Sequence, residues 1–581
     1  MKISFQSLLS WICRLTCGVV VFISGCKPNP QATVEKSEST KPSLKTSQQK
    51  PYTTSIRFSD VTNRTGIHFS PRNGEESGHY SILESIGSGV AVFDYDRDGD
   101  LDLLFAGGGG YSKAPAVTGL PSRLYRNEGA WHFTDVTEEA GIHTKPLYSH
   151  GVYVADYDAD GWPDILMTGY GSPLLFQNRG DGTFEAVSDS SHLRDSRWST
   201  GAAWGDFNGD GHLDFYLTHY VDWSFEKHPI CKGFGGARDV CSPADFNALD
   251  DTISINNSNG TFRADAKSMG LKAGGKGLGV LAGDFDLDGD VDLYIANDTT
   301  PNFLYQNGGN GRFTEIGISS GSALGPEAAA DGSMGLEMVD WNRDGRPDLW
   351  VTNYEHQNFA LYRNDGPGIY QHVSSRTGIS SVGTVFVGFG TIAADFDLDG
   401  DEDMFVTNGH VMMHSRNSPL KQKPLLFENL SARRFTNVAP QLGSYFTSAH
   451  RGRGVAAGDL DRDGDLDLVV THINAPISIL ANESPQHRSI LQLQLVGRFS
   501  SRDPIGASVI LETSSGKQVR FVKSGMSYLS TSDTTACFAV KKNEFPVKAT
   551  INWPGGKKQQ LEIRSPGKYV VVEAGSPQLV P

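Results

Sequence analysis

The chain has 581 residues, more than one hydrophobic core serves, so several domains or a long repeat array are expected. Apolar residues make up 38% and charged residues 20%, which excludes both global disorder and a bundle of membrane spans. The net charge of −16 excludes nucleic acid as the expected partner, because a basic footprint supplies most of that affinity.

Residues 1–26 read as an export signal. Lys2 and Arg14 flank or precede the apolar run from Leu15 to Ile23, and the segment closes on Ile23-Ser24-Gly25-Cys26. The run is too short to span a bilayer. Small residues before a cysteine resemble a bacterial lipobox, which implies cleavage and a lipidated Cys26, so that the membrane is met through lipid only, at the outer membrane, the cell surface or in the periplasm. A plain signal peptide cut elsewhere, or a short membrane anchor, is the alternative. Residues 27–50 carry Pro, Ser, Thr, Gln and Lys with almost no large apolar side chain, too little to offset ordering entropy. They are expected to form a flexible tether of roughly 25–30 Å root-mean-square length.

From residue 51 one nine-residue phrase recurs seven times. It is DYDRDGDLD from Asp94, DYDADGWPD from Asp156, DFNGDGHLD from Asp206, DFDLDGDVD from Asp284, DWNRDGRPD from Asp340, DFDLDGDED from Asp395 and DLDRDGDLD from Asp459. A small-residue apolar stretch precedes each phrase and a strand-like run such as LDLLFA or VDLYIA follows. A hairpin of the form Leu-Tyr-x-Asn, with nearby Gly and then Phe, comes next. Short β-rich runs bounded by Gly and Asn predict strands and turns. Each unit of about 60 residues therefore reads as a four-stranded propeller blade. Phe58-Ser-Asp60-Val61-Thr62 is a displaced copy of the strand that the last hairpin lacks, so it is expected to complete the seventh blade and remove two exposed sheet edges. The predicted fold is all-β: a seven-bladed propeller over 51–484, then a small β-sandwich or barrel over 485–575.

Three or four carboxylates within nine residues repel one another unless a cation sits among them. Hard divalent cations want six to eight oxygens, and magnesium keeps its waters more firmly than calcium does, so calcium is the expected ion. Charge arithmetic points the same way. The loops carry 31 acidic residues and four arginines, or −27, whereas residues 51–581 as a whole are −21. The acidity is concentrated in the loops.

These repeats resemble the FG-GAP (VCBS-type) calcium-binding propeller repeats of integrin α subunits and many bacterial surface proteins. The resemblance implies that positions 1, 3, 5 and 9 are the side-chain ligands, with the position-7 carbonyl, in up to seven structural sites. These are Asp94, Asp96, Asp98 and Asp102; Asp156, Asp158, Asp160 and Asp164; Asp206, Asn208, Asp210 and Asp214; Asp284, Asp286, Asp288 and Asp292; Asp340, Asn342, Asp344 and Asp348; Asp395, Asp397, Asp399 and Asp403; and Asp459, Asp461, Asp463 and Asp467. Loops three and five have three acids each, with Asn208 and Asn342 at position 3, and are expected to bind most weakly.

From His487 the phrase stops and alternating runs such as ILQLQLVG and ASVILET begin. Ser501-Arg502-Asp503-Pro504-Ile505-Gly506-Ala507, Gly525-Met526-Ser527-Tyr528-Leu529-Ser530 and Trp553-Pro554-Gly555-Gly556 look like the ASPIC/UnbV domain. The whole arrangement resembles the cartilage acidic protein family and its bacterial relatives, which implies a secreted calcium-binding interaction protein. Ser501 stands where Asn is usual, Ser527 where Gly is usual, and Phe538-Ala-Val-Lys541 replaces the usual Phe-Gly-Leu-Gly.

Five residues past the last carboxylate of each loop, the second strand ends at Gly107, Gly169, His219, Asn297, Asn353, Asn408 and His472. Three long connections, roughly 107–122, 221–250 and 409–424, leave that same end. Loops of such length are often functional. His219, Asn297, Asn353, Asn408 and His472 are therefore the candidate ligand face for a protein or polysaccharide, opposite the aspartate loops; strand capping is the plainer role for each. Cys231 and Cys241 are expected to pair after export, with zinc as the lesser reading, and Cys537 to be a buried thiol. No catalytic constellation stands out. The expected function is an extracytoplasmic binding module, with a polysaccharide lyase or hydrolase on a propeller scaffold as the alternative; His219, Tyr220, His410 and His472 are the groups such an enzyme would use.

Overall fold

The structure, a computed structural model, describes residues 52–113, 116–142 and 147–580. The expected signal, Cys26 and the whole of the 27–50 tether lie outside them. Among the described residues, seven four-stranded antiparallel sheets follow one another along the chain. Each starts with a strand entering an aspartate loop, leaves the loop on a strand that begins at its position-9 aspartate, and ends with the asparagine hairpin. In blade one the strands are Val90–Phe93, Asp102–Phe105, Arg123–Asn127 and Phe133–Asp135. Phe93 lies opposite Asp102, so the whole phrase is the turn between the first two strands.

The last sheet uses both ends of the repeat region. Gly452–Gly458, Asp467–His472 and Ala475–Asn482 are joined by Phe58–Asp60, with Phe58 opposite Asn482 and Asp60 opposite Leu480. First strands touch their neighbours in a closed cycle, that of blade seven against that of blade one. Apolar side chains fill the space between adjacent blades. Between one and seven, for example, Val90, Leu103 and Phe105 pack with Ala456, Val469 and Ile479.

The C-terminal segment forms two further four-stranded sheets. One holds Ala536–Val540, Ser489–Val496, Gly567–Val572 and Gln578–Leu579; the other holds Gly516–Phe521, Ser508–Thr513, Val547–Asn552 and Lys558–Ile563. Leu491, Leu493, Val509, Leu511, Ala549 and Ile551 pack within one core, as in a sandwich.

The two regions pack together: residues Thr53–Pro581 make one compact unit. The segment Ser524–Asp533 runs through the centre of the propeller and is hydrogen-bonded to the first strand of every blade. Ser524 takes the Trp204 N–H of blade three on Oγ (3.0 Å) and pairs by backbone with Ala282 of blade four (2.9 and 3.1 Å). Ser527 pairs by backbone with Leu336 of blade five (2.7 and 3.0 Å), accepts the Thr391 N–H of blade six on Oγ (3.2 Å), and donates that hydroxyl to the Val455 carbonyl of blade seven (2.7 Å). The Leu529 carbonyl accepts from Val152 of blade two (3.1 Å), and Thr531 pairs with Val90 and Val92 of blade one (3.0 and 2.9 Å). First strands have one edge facing the axis, and their backbone groups need partners there; this one segment supplies them.

The domain that sends the segment inward sits on the aspartate-loop side. Arg502 Nε lies 2.9 Å from Asp156 Oδ2, Gln492 Nε2 donates to Asp459 Oδ2 at 2.9 Å, and the Gly555 N–H donates to the Gly289 carbonyl at 2.8 Å. The opposite side carries the three long connections.

Candidate functional site

The seven loops share one backbone solution. Position 6 is glycine with φ between 86° and 102° throughout, a region costly for other residues. Position 4 is left-handed as well. Arg97, Ala159, Leu287, Arg343, Leu398 and Arg462 lie at φ 58–64°, with Gly209 at 74°. Six non-glycine residues in that region cost roughly 1–2 kcal/mol each, so other interactions must fix the turn.

The carboxylates do this. In six loops the position-1 Oδ2 accepts the position-6 N–H, as Asp94 does from Gly99 at 3.0 Å. In all seven the position-5 Oδ1 accepts the position-7 N–H, as Asp98 does from Asp100 at 2.8 Å. Position 9 is buried. Asp102 Oδ1 accepts the Asn127 N–H at 2.8 Å and Oδ2 the Tyr95 N–H at 3.0 Å. The other oxygens point into the loop. Oδ1 of Asp94, Asp156, Asp340 and Asp459 is buried without a hydrogen-bond partner. Oxygens of Asp94, Asp96 and Asp102 converge within 4.8 Å, as do those of Asp156, Asp158 and Asp164, of Asp284, Asp286 and Asp292, and of Asp395, Asp397 and Asp399.

Such an arrangement is unfavourable for a bare set of anions. Burial, with help from Asp94 and Asp96, pushes the Asp102 carboxyl up to about 9 despite its two N–H donors. Burial likewise raises Asp164 to about 9, Asp214 to about 8 and Asp284 to about 7. Orphaned, converging, all-oxygen donors fit a hard divalent cation. Loops three and five differ: Asn208 Nδ2 donates to Asp210 Oδ2 and Asn342 Nδ2 to Asp344 Oδ2, both at 2.9 Å, and Arg346 Nη2 lies 2.6 Å from the same Asp344 oxygen. Their position-5 carboxylates are already engaged.

The hairpin asparagine joins blade to blade. Its N–H binds the position-9 carboxylate of its own loop, and its Nδ2 donates to the position-2 carbonyl of the preceding loop. Asn178 reaches Tyr95 at 2.9 Å, and Asn127 of blade one reaches Leu460 of blade seven at 2.9 Å. A cation at any loop is thus one carboxylate away from an inter-blade bond.

On the opposite side, a cavity of about 610 Å³ opens among Ile86, Tyr220, Leu278, Asp298, Met334, Tyr354, Glu355, Phe389 and Met412, beside Cys231 and Cys241. The two cysteines form a disulfide that staples the longest connection over the rim. Their sulfurs are consumed by that bond and are not zinc ligands. Cys537 is a free thiol, which burial raises to about 12.

None of the five polar residues at the strand ends lines this cavity. His219, Asn297, Asn353, Asn408 and His472 are 0–3% exposed. His219 Nε2 lies 3.2 Å from Asp195 Oδ2; Asn297, Asn353 and Asn408 donate from Nδ2 to the carbonyls of Pro301, Asn358 and Lys423 (2.7–2.9 Å); His472 Nδ1 meets the Pro476 carbonyl at 2.7 Å. Asn297, Asn353, Asn408 and His472 cap the turn between second and third strands, whereas His219 faces the segment before its blade's first strand. The cavity uses the next residue of blades three, four and five, namely Tyr220, Asp298 and Tyr354, because the alternation of a strand turns successive side chains to opposite sides. The Tyr220 hydroxyl donates to Asp298 Oδ2 at 2.6 Å.

Residues 94–167, 156–217, 284–351 and 340–406 match the family model described as FG-GAP-like repeat, and 497–578 match that described as ASPIC and UnbV. This is an FG-GAP-repeat protein with a C-terminal ASPIC/UnbV domain. The sequence is similar to Cartilage acidic protein 1 of Xenopus tropicalis (26% identity over 511 residues, 81% of this chain and 70% of the relative) and of Homo sapiens (24% over 521 residues, 84% and 71%). Solved structures superpose loosely. An Agrocybe aegerita lectin described as recognising non-reducing terminal N-acetylglucosamine gives a TM-score of 0.38 at 17% identity, covering 66% of this chain and 85% of its own. YCF48 bound to D1 peptide gives 0.39 at 7%, covering 74% and 95%.

Two of the three departures from the ASPIC/UnbV pattern have local explanations. Ser527 sits at φ 65°, where glycine is usual, and its hydroxyl makes the two bonds to blades six and seven. Ser501 is buried and donates to the Asp503 carbonyl at 2.8 Å, next to the Asp503 carboxylate that accepts the Asp156 N–H at 2.8 Å.

Proposed function

We propose that the protein is an exported, Cys26-lipidated, calcium-braced FG-GAP propeller that binds a protein or polysaccharide ligand in the cavity opposite its aspartate loops. Calcium in the loops replaces the protons that the buried carboxylates otherwise hold, and so fixes the turns and the asparagine ties between blades. The ASPIC/UnbV domain covers the loop side, which leaves the stapled side for the ligand. The observation that carries the reading is the cavity of about 610 Å³ under the disulfide-bonded connection; ligand sites are concave and mostly apolar, with few polar groups. Of the groups an enzyme would recruit, His219 and His472 are buried, and the Tyr220 hydroxyl is committed to Asp298.

The test is a binding screen of the calcium-loaded protein against polysaccharides and secreted proteins, repeated with Met412→Trp, which fills the half-buried cavity wall. A ligand lost in the variant supports the site. A ligand held equally by both overturns it. New reducing ends or unsaturated sugars in the polysaccharide arm would replace the binding module with the lyase or hydrolase.

A further inference from the structure

The cavity wall holds a carboxylate with no cation beside it. Glu355 is 11% exposed; its Oε1 lies 3.3 Å from His410 Nε2, and its Oε2 is buried without a hydrogen-bond partner. Burial lowers the His410 imidazole below its ordinary value, so it stays neutral at pH 7. His356 Nε2 is 3.9 Å from Oε2 and 3.0 Å from the Asn417 amide nitrogen. Neither Arg453 nor Lys276 is paired with Glu355, although Lys276 acts on Asp298 of the same wall. Arg453 stacks 3.8 Å from the Phe389 ring centroid with its N–H groups on the carbonyls of Ser85, Gly409 and Gly452. Lys276 Nζ donates to the Pro243 carbonyl at 2.6 Å. Lys232 and Asp245 both stand at the exposed rim of the cavity. Asp298, in the same wall, adds a second carboxylate satisfied on one oxygen by Tyr220.

An uncompensated carboxylate oxygen is costly to bury unless a charged donor arrives. The surrounding faces are the rings of Tyr220, Tyr354 and Phe389 and the thioethers of Met334 and Met412, which favour an apolar body and the face of a cation. We infer that the cavity takes an amine or guanidinium borne on an aromatic or branched apolar group, with the Glu355 carboxylate as its counter-ion. The inference rests on the cavity being the ligand site.

Three matched probes test it on the calcium-loaded mature protein: phenethylamine, phenethyl alcohol and phenylpropionate, titrated by calorimetry and saturation-transfer NMR. The amine is expected to bind at least tenfold more tightly than the alcohol, and the carboxylate more weakly than either. Glu355→Gln is expected to bring the amine down to the level of the alcohol without changing the alcohol. Equal binding of amine and alcohol, tighter binding of the carboxylate, or a preference that survives Glu355→Gln overturns the charge assignment while leaving the cavity as a site. Met412→Trp separates the two claims: if no probe binds the unaltered protein, or if binding persists in this variant, the cavity itself is not the site and both fall.

Discussion

The carbonyl oxygen of Leu529 occupies the space in which a side chain on Gly89 would begin. Gly89 sits at the start of the first strand of blade one, and Leu529 is carried inward by the ASPIC/UnbV domain. Backbone meets backbone there, so neither partner gives way as a flexible side chain does. Gly89→Ala is expected to displace the axial segment and destabilise the protein by about 3 kcal/mol or more. Gly110→Ala, whose Cβ would stand 3.7 Å from the Gly74 Cα, is expected to be near neutral. Thermal melts of the two variants check this; equal melts would mean that the axial segment is not seated as described.

Ser527 separates backbone strain from hydrogen bonding. Its left-handed conformation suits glycine, yet its hydroxyl bridges Thr391 and Val455. Ser527→Gly loses the two bonds and relieves the strain, whereas Ser527→Ala loses the bonds and keeps the strain. The expected order of stability is wild type, then Gly, then Ala, with steps of about 1 kcal/mol. Denaturant titration reads the order, and Ala equal to or above Gly would contradict it.

The loops give the stability a pH dependence whose sign depends on calcium. Without the ion, Asp102 and Asp164 are raised to about 9 and Asp214 to about 8, against roughly 3.9 in an unfolded chain. The folded chelated protein therefore holds more protons than the unfolded one across that window, and its stability falls as pH rises through it. Calcium binding is expected to displace those protons and remove the penalty. The melting-temperature gap between calcium-loaded and chelated protein is expected to widen from pH 5 to pH 8. A gap that is constant or narrows would show that these carboxylates do not hold the ion.

Cysteine chemistry gives an independent check on export. Cys26→Ser is expected to move the protein from membranes to soluble or culture fractions, since a lipidated cysteine is the anchor in this account. Thiol counting on the denatured, unreduced mature protein should find Cys537 alone. An unchanged membrane fraction favours an uncleaved anchor; three reactive thiols would mean that Cys231 and Cys241 do not pair.

Much of this architecture is legible in the sequence because it repeats. The aspartate phrase, its flanking strands and the displaced Phe58-x-Asp60-Val61 copy each announce a blade, and the strand from Phe58 does pair with Asn482. The route of Ser524–Asp533 is not legible: it has neither strand alternation nor helical period, and its partners are backbone groups, which carry no residue code. The left-handed position 4 is hidden because Arg, Ala and Leu stand there beside a single glycine. The asparagine tie between blades left a visible signal, the unvarying Asn of all seven hairpins, but a turn residue of that kind is ordinarily local. The cavity-lining Tyr220, Asp298 and Tyr354 stand one position beyond the expected ring of His219, Asn297 and Asn353, and a one-residue shift on a strand exchanges core for cavity.

The central claim is that calcium in these loops holds the propeller together, and calcium titration by calorimetry with paired thermal melts tests it most directly. Ions that bind only the folded state add about 2.7 kcal/mol per site at one hundred times their dissociation constant, or about 19 kcal/mol for seven. With an unfolding entropy near 1.1 kcal/mol per kelvin for a unit of this size, chelation should lower the melting temperature by roughly 15 °C, reversibly with calcium and poorly with magnesium. Asp284→Ala should remove about one ion from the stoichiometry, and Asp340→Ala, in a loop whose Asp344 is already engaged by Asn342 and Arg346, should change it less. A melt indifferent to chelator, with fewer than about four ions bound, would contradict the account.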